Sequence, residues 1–358
     1  MDSRYFSKIV VEWYKSNKRD LPWRETKDPY FIWLSEIILQ QTRVNQGLPY
    51  YKKFIDAFPT VADLALAPEQ KILRLWQGLG YYTRARNLHK CAKEVVKKHH
   101  GMFPPSFEKL KSLPGIGDYT AAAIASIAFA ESVAVVDGNV FRVLSRIFGI
   151  ETATNSNDGK KVFSELANKL VSSTSPELHN QAMMEFGALH CTPANPSCRT
   201  CPFKKVCVAN KNSLQNMLPV KTPSKKVRNR YFYYVAVQKG QSLLMKSRNE
   251  KDIWHGLSDF YLIEKSRPNN PEKILVEDKA LEKLIGRSVH TAGSEIEISG
   301  VYKHVLSHQK IFSRFILVKT SKDVKVNGSG LKFYSKKKIA ELPKPVLISR
   351  FLEDYQLL

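Results

Sequence analysis

Leu113-Pro114-Gly115-Ile116-Gly117-Asp118-Tyr119-Thr120 is the stretch that decides the fold. Helix-forming segments flank it on both sides. Two glycines around one apolar residue allow a tight turn whose backbone N–H groups stay open. The helix that starts after Gly117 adds partial positive charge at its N-terminus. Together these features hold a phosphate without any basic side chain. Standing alone, the stretch is also an ordinary turn between helices.

The charge of the chain weighs toward the phosphate. Its 358 residues carry 56 basic and 33 acidic side chains, a formal net charge of +23. Residues 1–208 hold 28 basic and 19 acidic side chains (+9), and residues 209–358 hold 28 and 14 (+14), so the charge is not a tail effect. Such a field favours a polyanion, most simply nucleic acid, over a small neutral substrate. An acidic membrane surface or a well-solvated exterior would carry it too. In this setting Gly115 and Gly117 read as a clamp on the DNA backbone. No apolar run is long enough to span a bilayer, and nothing resembles a signal peptide, so the expected compartment is the cytoplasm.

Length and composition expect two domains. Residues 1–208 read as mostly helical: Ser35–Gln41 has no breaker, Thr120–Phe129 is rich in Ala and Ile, and Asp137 sits where an N-cap belongs for Gly138–Phe148. Further helices are expected over 160–173 and 177–189. Residues 209–229 read as a solvated linker. Residues 230–358 then read as a smaller α/β or α+β domain, with strands at 230–238, 242–247, 296–303 and 311–319, a short helix containing Leu281–Ile285, and a terminal helix over 345–355. Cys191, Cys198, Cys201 and Cys207 form a C-x6-C-x2-C-x5-C pattern within 17 residues. Four soft sulfur ligands this close suit a tetrahedral metal or a [4Fe–4S] cluster better than disulfides in a reducing cytosol.

The hairpin, an aspartate 20 residues after Gly117 and the downstream cysteine loop resemble the helix-hairpin-helix DNA glycosylase superfamily. Leu21-Pro22-Trp23-Arg24, Trp33-Leu34-Ser35-Glu36-Ile37-Ile38-Leu39-Gln40-Gln41-Thr42, Gly78-Leu79-Gly80-Tyr81-Tyr82 and Val136-Asp137-Gly138-Asn139-Val140 narrow the resemblance to A/G-specific adenine glycosylases of the MutY type. The likeness is dense over residues 5–208 and loose beyond. It implies a helix-hairpin-helix catalytic region with a [4Fe–4S] loop on Cys191, Cys198, Cys201 and Cys207, followed by a Nudix-like lesion-recognition domain. It also implies a monomer acting on double-stranded DNA with adenine opposite 8-oxoguanine or guanine.

Cleaving an N-glycosidic bond to adenine needs a proton on the leaving base and negative charge near the oxocarbenium-like sugar. Glu36, among apolar neighbours, suits the acid role by its surroundings, although a surface or ion-paired helix residue would look the same. The resemblance implies that Glu36 protonates adenine and takes part in activating water. It gives Asp137 the charge-stabilising role and Asn139 the support of that centre. Tyr119 stands where bifunctional relatives carry a Schiff-base lysine, which implies a monofunctional enzyme. Trp23, Arg24 and Leu39 match residues around the adenine pocket, Gln181 a position that reads the base edge, and Gln41 and Tyr82 residues that enter the stack beside the opposing purine. Each is also consistent with plain packing or surface polarity.

In the second domain, Leu306-Ser307-His308 resembles the loop that recognises 8-oxoguanine, with Leu306 where many relatives have phenylalanine. Trp254–Phe260 departs from the commoner family pattern, and a nucleotide-hydrolase box is missing. Two other readings stay open: a bifunctional oxidised-pyrimidine glycosylase/lyase, and a noncatalytic DNA-binding cluster protein.

Overall fold

The computed structural model describes residues 2–223, 227–279, 281, 295–321, 324, 326 and 330–358. The chain forms two compact units, Met1–Leu66 with Arg86–Pro223, and Ala67–Ala85 with Ser224–Leu358. The first is helical. Its N-terminal helix (Ser3–Asn17) packs through Phe6, Val10 and Tyr14 onto the Asp137 helix (Gly138–Phe148), the helix Asn157–Leu170 and the Gln181 helix (Pro176–Leu189). Phe163, Phe186 and Phe203 lie fully inside this core. Burying each such ring contributes about 1.5–3 kcal/mol.

The Glu36 helix (Pro29–Leu39) starts where Asp28 accepts a hydrogen bond from Tyr30 N at 2.8 Å and Pro29 takes the first turn. Eight of its eleven residues are buried, so Glu36 is carried into the interior by its apolar neighbours. The helix ends before Gln41, whose φ of +56° breaks the helical path. The hairpin helix (Asp118–Phe129) follows Gly115, whose φ of +77° lies where side chains are strained. A Cβ at Gly115 would come within 2.6 Å of Asn87 Cβ, so this position excludes a side chain on two counts. The helix expected over 160–173 runs over Asn157–Leu170, starting early because Ser156 Oγ accepts from Gly159 N at 2.9 Å.

The second unit is β-rich, a correction to the α/β expectation. Strand β1 (Arg228–Lys239) is its spine. β1 is followed by β2 (Ser242–Ser247), β3 (Ser258–Asp259), β4 (Tyr261–Lys265), β5 (Glu295–Ile298), β6 (Tyr302–Val305), β7 (Gln309–Lys319) and β8 (Lys332–Ser335). β1 pairs antiparallel with β4 and parallel with β7, from Arg228↔Gln309 to Gln238↔Lys319. The strand expected at 296–303 is two strands. Both pair with β7, at Ile298↔Ile316 and Tyr302↔Ser313, so four steps on one side oppose three on the other. That extra residue is a bulge around Ser299, which accepts from Phe315 N through Oγ at 2.8 Å. The terminal helix runs Val346–Asp354. The helix expected around Leu281–Ile285 lies, beyond Leu281, outside the described residues.

One face of β1 buries Tyr233, Val235 and Val237 against Ile274, Leu275 and Ile316. Elsewhere in this unit Arg248 donates to Asp259 at 2.9 Å, with side chains 4% and 0% exposed. Removing one partner of a buried pair leaves the other charge uncompensated. Asp259→Ala is therefore expected to destabilise the second unit by about 3–5 kcal/mol in urea unfolding.

Candidate active site

A cavity of about 600 Å³ opens within the first unit. The Glu36, hairpin, Asp137 and Gln181 helices each give it a functional side chain, and Trp23, Arg24 and Leu39 complete its wall. Glu36, Tyr119, Asp137, Asn139 and Gln181, distant in sequence, meet here. Gln41, by contrast, is exposed and does not line this cavity.

At the centre, Tyr119 Oη donates to Glu36 Oε2 at 2.5 Å. Burial pushes the Glu36 carboxyl up to about 7; Tyr119 opposes the rise, the nearby Asp137 charge adds to it and Arg24 reduces it. The Tyr119 phenol is held well above its ordinary range by burial and by Glu36, so it stays a donor.

Asp137 caps its helix as the sequence implies. Its Oδ1 accepts from Asn139 N and Val140 N, both at 2.8 Å, and its Oδ2 accepts from Asn139 Nδ2 at 2.8 Å. Burial raises the Asp137 pKa, while these donors oppose the rise by favouring the ionised form. Asn139 is fixed in turn by Arg142, whose Nη2 donates to Asn139 Oδ1 at 2.8 Å and to Gly187 O at 2.6 Å. Two buried carboxyls thus have unlike surroundings, Glu36 bonded to a phenol and Asp137 to three N–H donors that favour its ionised form.

Sequence reasoning missed Glu185, Arg19 and Tyr14. Glu185 accepts from Arg19 and Arg24 through both oxygens; burial alone would raise its pKa, but the two guanidiniums hold it down to about 2. This bidentate pairing fixes Arg24 in the cavity wall. Tyr14 Oη donates to Gln181 Oε1 at 2.7 Å. Only the one-face spacing of Phe6, Val10 and Tyr14 hinted that Tyr14 turns inward.

The remaining expected residues lie elsewhere. Gly115 and Gly117 are exposed on the hairpin, and Gly117 N-caps its helix without a side-chain bond, leaving first-turn N–H groups free of a side-chain cap. Tyr82 is 6% exposed, whereas its neighbour Tyr81 is 49% exposed with φ +48°. Leu306, Ser307 and His308 form the turn between β6 and β7, where Leu306 N donates to Gln309 O at 2.8 Å and the exposed Ser307 and His308 side chains meet at 3.3 Å.

The cysteine expectation is overturned. Among the described residues no group of three or more His, Cys, Asp or Glu is placed to hold a metal ion. All four cysteines are free thiols beside one small cavity. Cys207 Sγ donates to Arg146 O at 3.3 Å, and Arg146 Nη1 donates to Cys191 Sγ at 3.5 Å. Burial pushes Cys201 up to about 12 and raises Cys207. Arg146 also donates to Thr192 O, Pro193 O and Leu218 O, and Phe203 anchors the segment in the core. These contacts order the loop.

Comparison with known proteins agrees with this architecture. Residues 34–172 match the family described as HhH-GPD superfamily base excision DNA repair protein, and residues 232–354 match the NUDIX domain. An adenine DNA glycosylase of Buchnera aphidicola subsp. Acyrthosiphon pisum is 35% identical over 314 residues, covering 86% of each chain. The chain belongs to the adenine DNA glycosylase family. A second such glycosylase, from Buchnera aphidicola subsp. Schizaphis graminum, is 32% identical and spans 98% of this chain and 99% of its own. The human adenine DNA glycosylase is 42% identical over 222 residues, 60% of this chain and 41% of the human one. Among solved structures, a thermostable thymine-DNA glycosylase superposes with a TM-score of 0.55 at 32% identity, covering 59% of this chain and 97% of that one. Among the described residues no helix is long and apolar enough to cross a membrane.

Two measurements probe this family site directly. Glu36 holds its proton in the folded state up to about pH 7, against an ordinary value of 4.5, so folding stability falls as pH rises through that window and levels off above it. Glu36→Gln removes this term, and unfolding at pH 4.5 and 8 should show the wild type losing about 3 kcal/mol more than the variant. Equal losses would contradict the raised pKa. At Gly187 an added Cβ would meet Asn139 Cβ at 2.6 Å and Asn139 backbone at 3.0 Å. Gly187→Ala should cost about 1–3 kcal/mol and slow the chemistry by displacing Asn139 from Asp137.

Proposed function

We propose that the chain is a monofunctional adenine DNA glycosylase of base excision repair, hydrolysing the N-glycosidic bond of adenine opposite 8-oxoguanine or guanine. The observation that carries this reading is the buried Glu36 carboxyl, bonded to Tyr119 and facing the cavity that also holds Asp137. Glu36 gives its proton to a ring nitrogen of the flipped adenine, which makes the base a competent leaving group. Asp137, whose three N–H donors favour its ionised form, sits against the sugar as positive charge develops. Glu36, now ionised, takes the proton of the attacking water. Tyr119 stands where a lyase would need an amine, and among the described residues no lysine lines the cavity, so the bond is broken by water and not through an imine.

The hairpin at Gly115 and Gly117 binds a phosphate of the strand through its free first-turn N–H groups. Trp23, Arg24, Leu39 and Gln181 enclose the base, Gln41 lies on the DNA side of the Glu36 helix, and Ser307 and His308 read the altered edge of 8-oxoguanine with Leu306 as an apolar wedge. The catalytic domain is residues 1–208, the linker 209–229 and the lesion-recognition domain 230–358. The enzyme works as a monomer in the cytoplasm, on the nucleoid in a bacterial cell.

The test uses duplexes with adenine opposite 8-oxoguanine, guanine or thymine, and thymine glycol opposite adenine. Free adenine from the first two, with strand breaks only after alkali, is the expected result. A reducible protein–DNA adduct would overturn the monofunctional reading. Glu36→Gln should lower single-turnover adenine release about 10²–10⁴-fold. The wild-type rate should fall as pH rises above about 7, where Glu36 loses the proton it must donate.

A further inference from the structure

Asp137 ends a stretch that has no regular structure of its own. Residues 131–137 form neither helix nor strand, yet Ala134 and Val135 are buried. Buried backbone groups need partners, and among the described residues no strand pairs with this stretch. Side chains supply the partners instead. Asn180 Oδ1 accepts from Val135 N at 3.0 Å, and Asn180 Nδ2 donates to Val133 O at 2.8 Å. A backbone N–H only donates and a backbone carbonyl only accepts, so these two contacts settle which end of the amide lies where. Asn180 is 1% exposed, and it serves this chain as the edge of a neighbouring strand would. Asn168, on the helix Asn157–Leu170, holds the residue between. Its Oδ1 accepts from Ala134 N at 2.9 Å and its Nδ2 donates to Ser164 O at 3.0 Å, which settles its orientation in the same way.

Resting on the reading of Asp137 as the carboxylate that faces the sugar, we propose that Asn180 and Asn168 are positioning residues: they suspend the chain that enters Asp137 and so set where its carboxyl lies in the cavity. The cap bonds to Asn139 N and Val140 N fix that carboxyl relative to its own helix, Gly138–Phe148. They do not fix where the start of that helix sits. Two residues before Asp137, Val135 is bonded to Asn180 of the helix Pro176–Leu189. Two residues after it, Asn139 abuts Gly187 of the same helix. Asp137 is therefore held on both sides by one helix, which also gives the cavity Gln181. Neither Asn180 nor Asn168 lines the cavity, so each acts through Asp137 and not on the substrate. A carboxylate meets developing charge only from the right distance, and a displacement of about 1 Å costs on the order of 10²-fold in rate.

The experiment measures single-turnover release of adenine opposite 8-oxoguanine at saturating enzyme, at a temperature where circular dichroism shows each variant folded. The Kd is measured separately on the same duplex carrying 2′-fluoro-deoxyadenosine, which resists hydrolysis. Asn180→Ala removes both bonds and should slow release about 10–100-fold, with Kd unchanged. Asn168→Ala removes one bond at an exposed position and should slow release about two- to tenfold. Asn180→Asp keeps the size and the bond to Val135 N, but its ionised form turns an oxygen toward Val133 O. Burial favours the protonated form, which donates to Val133 O as the amide does. Its rate, divided by that of wild type at the same pH, should therefore rise as pH is lowered from about 8 to about 5.5. If Asn180→Ala does not fold, the other two variants decide. Merely structural asparagines would lower the unfolding midpoint and leave both the rate of the folded enzyme and the pH ratio alone. Unchanged rates in the folded variants, or losses matched by equal rises in Kd, would overturn the proposal and leave the glycosylase reading intact. A wild type that releases no adenine from any duplex would overturn that reading as well.

Discussion

Everything in the first unit bears on the burial of one carboxyl. Glu36 is 8% exposed on a helix that is otherwise almost wholly apolar, and its partner is a phenol, not a cation. An arginine at hydrogen-bonding distance would hold the carboxyl ionised, as Arg19 and Arg24 do for Glu185. The same fold therefore sets one glutamate near neutral pH and drives another to about 2, by choosing a neutral donor for one and two guanidiniums for the other. The two guanidiniums line the same cavity but are engaged by Glu185.

The geometry is enforced from behind by close helix contacts. Asn139 lies against Gly187, where no side chain fits, and Arg142 bonds both. This ties the Asp137 cap to the Gln181 helix.

Much of this was legible in the sequence, for physical reasons that differ by residue. Asp137 followed by Gly138 and Asn139 was read as a cap from local pattern, because capping is decided within three residues. The apolar neighbours of Glu36 leave a surface or ion-paired residue equally open, and it is the resemblance that implies the acid role. Glu185, Tyr14 and Arg19 were not read as site residues, because their roles come from contacts across some 160 residues of chain that no local pattern encodes. Which of Tyr81 and Tyr82 is exposed is not legible in the sequence; the positive φ at Tyr81 accompanies its exposure, while Tyr82 is buried. The cysteine spacing was compatible with ligation, yet spacing does not fix where sulfurs point or whether they ionise. Here Arg146 and the core around Phe203 organise the segment.

The parallel pairing of β1 with β7 has a consequence for biosynthesis. Arg228 and its partner Gln309 are separated by 81 residues of chain. At about 5–20 residues per second, β1 leaves the ribosome roughly 4–16 seconds before the strand that fills its open edge. During that interval the aromatic run Tyr231–Tyr234 has an unfilled ladder, a template for wrong pairing. The first unit has all its sequence by Pro223 and needs no such wait. Synthesis thus delivers the helical unit early, while the second completes its sheet only after the Leu306-Ser307-His308 turn has been made.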